Sequence, residues 1–173
     1  TSSRNIQRFP APGDDEGQVG VLLDQTFDHF RQVWESAEEK FGCPVIQNNF
    51  ELPYVRLMGN REASDPSGRV NFVTRLNQRF YDYAQTHPHF YIQDILYLSS
   101  CYGLDRWADP FYWHMYKYAL CVPAIPELAF NLANIIKSLL GKNQKALALD
   151  LDNTLWGGVV GDDGPEGLQM GPE

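Results

Sequence analysis

Apolar residues recur at three- and four-residue spacing in three stretches of the chain. Leu23, Phe27, Phe30, Trp34, Ala37 and Phe41 fall on one face of a helix that Gly42 would stop. Val70, Val73, Leu76, Phe80 and Tyr83 define a second helix, ending near His87-Pro88. Leu128, Leu132, Ile135, Ile136 and Leu139 give the core face of another, opened by Pro126 and closed by Gly141. Two short apolar runs, residues 44–47 and 90–92, read as buried strands. Residues 95–102 continue as a helix up to Gly103. The order helix, strand, helix, strand, helix predicts an α/β fold with a parallel sheet flanked by helices. The right-handed crossover rule favours a doubly wound arrangement.

Pro, Gly and Asp crowd residues 1–20, which read as a linker, with Asp14-Asp15-Glu16 as a solvated acidic patch. Residues 21–141 form the α/β region, and the turn at Gly141-Lys142-Asn143-Gln144 is the expected boundary. The segment 142–173 begins a second domain.

The chain of 173 residues can bury a sizeable core, with 43% hydrophobic and 21% charged residues. A net charge of −8, with no basic run, argues against nucleic acid and against anionic membranes. No apolar run is long enough to span a bilayer, and the start has no signal-peptide pattern. Cys43, Cys101 and Cys121 lack metal spacing and read as reduced, mostly buried thiols of a cytoplasmic protein. The rival reading is a thiol that carries an acyl group.

The chemistry concentrates in Leu149-Asp150-Leu151-Asp152-Asn153-Thr154-Leu155-Trp156-Gly157-Gly158. An apolar strand ending in Asp-x-Asp would point both carboxylates to one face, at the carboxyl edge where α/β sheets bind ligands. Two carboxylates there can hold Mg2+, and one can attack phosphorus while the other moves a proton. Gly157, Gly158 and Gly161 would let the backbone turn beside a ligand, and Gly161-Asp162-Asp163-Gly164 has hairpin chemistry. Asn48 and Asn49, at a strand's carboxyl end, are a second polar candidate; the alternative is a turn satisfied by their own side chains. Asp109 and His114, in an aromatic block, are candidates for an acid/base pair.

The Asp-x-Asp-x-Thr string resembles the first motif of the haloacid dehalogenase-like (HAD) phosphohydrolases. Its extension through Val159-Val160-Gly161-Asp162-Asp163-Gly164 resembles the FkbH-like branch, in which an SGNH-hydrolase-like region precedes a capless HAD domain. The likeness is strongest from about Trp107 to Gly171 and nearly absent before Thr26. It implies an SGNH- or flavodoxin-like three-layer region followed by the first strand and flap of a Rossmann-like HAD domain. Asp150 then matches the nucleophile and a metal ligand. Asp152 matches the general acid/base and lends its carbonyl to the metal, and Thr154 matches a structural hydroxyl. Asp109 departs from the SGNH Asp-x-x-His block, because Tyr112 stands three residues on and His114 five. This departure weakens ester hydrolysis as a role, and the serine block would lie upstream of residue 1.

The resemblance implies an enzyme that dephosphorylates 1,3-bisphosphoglycerate and loads the glyceryl group onto an acyl carrier protein thiol in polyketide biosynthesis. A Mg2+-dependent phosphatase of a free small metabolite, with the front region as scaffold, is the alternative. A non-catalytic or acyltransferase-like module is a third reading. Docking of an acidic carrier would need a local basic patch, for which Arg61, Arg69, Arg75 and Arg79 are candidates. The later HAD motifs, including the phosphate-binding Lys, have no counterpart here. The chain is therefore expected to be an internal fragment, inactive alone and a poor binder of Mg2+.

Overall fold

A computed structural model describes residues 2–144, 146–169 and 171. The chain divides into two compact units, Thr1–Ile136 and Lys137–Glu173. The division falls inside a helix rather than at the turn beginning with Gly141.

In the first unit, helix α1 runs Glu16–Phe41, strand β1 Val45–Asn48, helix α2 Arg69–Thr86, strand β2 Phe90–Gln93 and helix α3 Ile95–Tyr102. The predicted order is met. β1 and β2 pair in parallel, Val45 opposite Phe90 and Asn48 opposite Gln93, with α2 as the crossover between them. The sheet is narrower than expected, with two strands among the described residues. Two more short helices follow, α4 (Leu104–Trp107) and α5 (Pro110–Tyr116), and then α6 (Ile125–Leu139).

The core packs α1 and α2 against the sheet. Val19, Leu23, Phe30 and Trp34 of α1 meet Phe72, Val73, Leu76 and Phe80 of α2. Trp34 lies edge-on to Phe80, ring centroids 4.7 Å apart, and its indole N–H donates to Gln47 Oε1 at 2.7 Å. Phe41, expected on the core face, is exposed, since the last turn of α1 overruns the core. A smaller cluster joins Ile95 and Leu98 of α3 to Trp107, Cys121 and Ala124.

Three sequence readings change here. Residues 1–20 belong to the fold, because Ile6 and Val19 are core residues. Asp15 is the N-cap of α1, accepting from Gln18 N–H at 2.8 Å while Gln18 Oε1 accepts from Asp15 N–H at 3.0 Å. This capping box satisfies amide groups that the first turn leaves open. The apolar face of α6 is not core: Leu128 packs on the smaller cluster, but no α6 residue is buried, and Ile136 is 42% exposed.

Glu62 organises the loop before α2. One carboxylate oxygen accepts from Leu57 and Met58 N–H, and the other from Arg69 and Val70 N–H. The backbone of Gly68 passes so close to Glu62 that an added Cβ would collide with its carbonyl. Glycine at this N-cap is required by that approach.

Candidate functional site

The second unit holds the Asp-x-Asp motif in a closed loop. Residues 146–150 form no strand, because no neighbouring strand pairs with them among the described residues. The expectation that strand alternation aims Asp150 and Asp152 to one face is thus not realised in this form. Order comes from hydrogen bonds within the loop instead. Asp152 Oδ1 accepts from the Trp156 indole and from Val160 N–H, each at 3.2 Å. Asn153 adopts a left-handed conformation, φ 55°. It bonds Gly158 twice: Asn153 N–H donates to the Gly158 carbonyl at 3.2 Å, and Gly158 N–H donates to Asn153 Oδ1 at 3.0 Å.

Asp150 is exposed, and its Oδ1 accepts from Leu151 N–H at 2.9 Å. Thr154 sits in the turn, its N–H donating to the Leu151 carbonyl at 3.3 Å. Gly157 and Gln169 exchange two backbone hydrogen bonds of 2.9 Å, which pin the segment between them back onto the motif. Within that segment Val160–Asp163 is a helical turn rather than a hairpin. Asp163 Oδ2 caps it by accepting from Val159 N–H at 2.8 Å. Gly158, at φ 106°, takes a conformation that a side chain would strain.

Magnesium is bound through oxygen, often by one or two carboxylates together with water and phosphate. Asp150 and Asp152 each retain one carboxylate oxygen without a hydrogen bond among the described residues. Asp150 fits as the carboxylate of such a site, with the Asp152 backbone carbonyl as a second protein oxygen and Asp152 Oδ2 left for a proton. No group of three His, Cys, Asp or Glu gathers among the described residues, so water and substrate oxygens would complete the shell.

In the first unit the carboxyl ends of β1 and β2 bring Asn48, Asn49 and Asp94 together. Asn49 is fully buried. Its Nδ2 donates to Tyr81 Oη and to Asp94 Oδ1, both at 2.7 Å, and its Oδ1 accepts from Leu96 N–H at 3.1 Å. This amide is a strut between the two strand ends and α3, neither an open binding group nor a self-satisfied turn. Burial pushes the Tyr81 phenol up. The Asn48 carbonyl accepts from Gln47 Nε2 at 2.6 Å, and Asn48 lines a cavity of about 250 Å3 beside Trp107 and Leu128.

Asp109 and His114 do not form a linked pair. Asp109 caps α5, its Oδ1 accepting from Phe111 N–H at 2.8 Å, and no hydrogen bond joins it to His114 among the described residues. The cysteines also depart from expectation. Cys121 is buried, but Cys43 and Cys101 are exposed, one in the turn after α1 and the other on the outer face of α3. Three of the four candidate docking arginines are paired with acids. Arg61 pairs with Asp65 at 2.8 Å, Arg75 with Glu16 at 2.7 Å and Arg79 with Asp24 at 2.5 Å.

Glu51, which sequence reasoning passed over, is the most unusual ionisable group. It follows β1 by three residues and is 2% exposed. Ser3 donates to its Oε1 through both N–H (3.1 Å) and O–H (2.8 Å), while Oε2 has no partner among the described residues. Burial pushes its carboxyl above the ordinary range, the hydrogen bonds to it only partly opposing this. An acid set among Phe50, Leu52 and Pro53 was the available signal.

The profile of the FkbH N-terminal domain matches residues 3–137. The chain belongs to the FkbH N-terminal domain family. The chain is also similar to a crystal structure of the N-terminal part of the protein BF1531 from Bacteroides fragilis, which contains a phosphatase domain complexed with Mg. Identity is 30% and the TM-score 0.76, over 94% of this chain and 42% of that one. No curated protein matches the chain. No helix among the described residues is long and apolar enough to cross a membrane.

Proposed function

We propose that this segment belongs to an FkbH-like enzyme that removes phosphate from 1,3-bisphosphoglycerate and loads the glyceryl group onto an acyl carrier protein thiol. The observation that carries the reading is the likeness to a Mg-bound, phosphatase-containing protein. The uncovered 6% of the chain is shorter than the second unit, so the likeness reaches into the unit that holds Asp150. Since the chain spans 42% of that protein, the activity of the whole enzyme is the proposal.

In this reading Asp150 attacks the phosphorus of the C3 phosphate ester, forming a P–O bond to its carboxylate as the bond to the C3 oxygen breaks, and water later hydrolyses the aspartyl phosphate. Asp152 gives a proton to the leaving oxygen and later takes one from the attacking water. Its Oδ1 is already fixed by Trp156 and Val160, which leaves Oδ2 for proton transfer. Bound Mg2+ supplies charge neutralisation on the phosphoryl oxygens. Thr154, Gly157 and Gly158 shape the loop around the phosphate. The acyl phosphate at C1 is the thioester donor: a thiolate, on the carrier's phosphopantetheine or first on a cysteine, attacks its carbonyl carbon, forming the C–S bond as inorganic phosphate leaves; Cys43 and Cys101 are the exposed cysteines. The front unit serves as an SGNH-like scaffold.

The test is the intact mass of a phosphopantetheinylated carrier protein after incubation with the full-length enzyme, Mg2+ and 1,3-bisphosphoglycerate. A gain of one glyceryl group, lost with Asp150→Asn, is expected. Phosphate release without a gain would favour the free-metabolite phosphatase.

A further inference from the structure

Beyond the carboxyl end of β1 the first unit contains a cavity of about 420 Å3, which the chemistry of the Asp150 loop does not use. Arg4, Glu51, Arg69, Trp113 and His114 line it, and Glu51 is the only carboxylate among its lining residues. With Oε1 taken by Ser3 and Oε2 unpartnered, the protonated side chain offers an O–H donor that has no acceptor among the described residues. Burial favours that protonated form. A buried donor left without a partner is costly, and a ligand oxygen would relieve it.

The two guanidiniums point to the same ligand chemistry. Neither makes a salt bridge among the described residues, in a protein where Arg61, Arg75 and Arg79 all do. Arg4 donates one N–H to the Ala108 carbonyl at 3.2 Å and lies 4.3 Å over the Trp113 ring. Arg69 lies 5.2 Å over the Phe9 ring. Each has five N–H donors, so both keep several for an oxyanion. The aromatic faces behind them, with Leu52 and Pro53, present an apolar wall.

We infer that this cavity binds a small organic acid, its carboxylate facing the Arg4 and Arg69 guanidiniums and the Glu51 carboxyl, its short apolar body against Phe9 and Trp113. Two guanidiniums exclude an organic cation. A bare phosphate lacks the body that the apolar wall would cover. The inference does not rest on the proposed phosphoryl chemistry, since binding here needs neither Mg2+ nor turnover.

Calorimetric titration of the chain with butyrate tests it, with butylammonium and inorganic phosphate as controls. Butyrate is expected to bind at one site and butylammonium not at all. Arg69→Gln and Arg4→Gln should each weaken butyrate by about ten-fold or more, the value of one charge-assisted hydrogen bond. Arg69 makes no side-chain hydrogen bond to the described chain, so Arg69→Gln decides the matter if Arg4→Gln does not fold. Absence of butyrate binding, equal binding of butylammonium or phosphate, or undiminished affinity in Arg69→Gln would overturn the inference.

Discussion

Asn77 and Phe50 are joined by a closed pair of hydrogen bonds. Phe50 N–H donates to Asn77 Oδ1 at 2.9 Å, and Asn77 Nδ2 donates back to the Phe50 carbonyl at 2.8 Å. Asn77 is 1% exposed and Phe50 fully buried, so no water can replace either bond. The side chain of α2 does for the end of β1 what a neighbouring strand would do. Asn77→Leu keeps the volume and strands both backbone groups. Loss of about 2–4 kcal/mol of stability is expected in urea unfolding.

The contact between Gly68 and Glu62 should be equally exacting. Gly68→Ala forces the Glu62 backbone aside and disturbs four backbone bonds to its carboxylate. A cost of about 1–3 kcal/mol is expected, as for overpacking in a core. An unchanged thermal midpoint would show that the loop yields freely.

Glu51 makes stability depend on pH in a definite direction. Its folded carboxyl is held above the ordinary 4.5, so the folded state keeps this proton while the unfolded chain releases it. That contribution is complete below the unfolded value and is lost as pH rises through the folded one. Glu51→Gln removes the titration, so its melting temperature should vary less with pH above 4.5 than that of the parent. Identical profiles would show that Glu51 is not the group responsible.

Asp152 is held by two donors in the Asp150 loop, and Asn in its place can still accept both. Asp152→Asn should therefore leave Trp156 fluorescence unchanged while phosphate release by the full-length enzyme falls by about 10²–10⁴-fold. Turnover near that of the parent would remove Asp152 from proton transfer.

Much of the first unit was legible because its signals are local. Val70, Val73, Leu76, Phe80 and Tyr83 are all buried on α2, as their spacing predicted. β2 and α3 begin and end within a residue of expectation, bounded by Asp94 and Gly103. The Asp150 motif was legible as chemistry, from residue types in a fixed string. Its geometry was not, because a strand needs a partner and the partner's place is not written in the strand.

The pattern of apolar residues thus determined the α/β order of elements, and the Asp-x-Asp-x-Thr string the family resemblance, since both depend on residues close together along the chain. Tertiary structure alone decided what the polar residues do. It turned Asn49 into a strut and paired three of the four candidate docking arginines with acids. It also enclosed Glu51 beside Arg4. Most of these contacts join groups tens of residues apart, and only the folded backbone sets those distances.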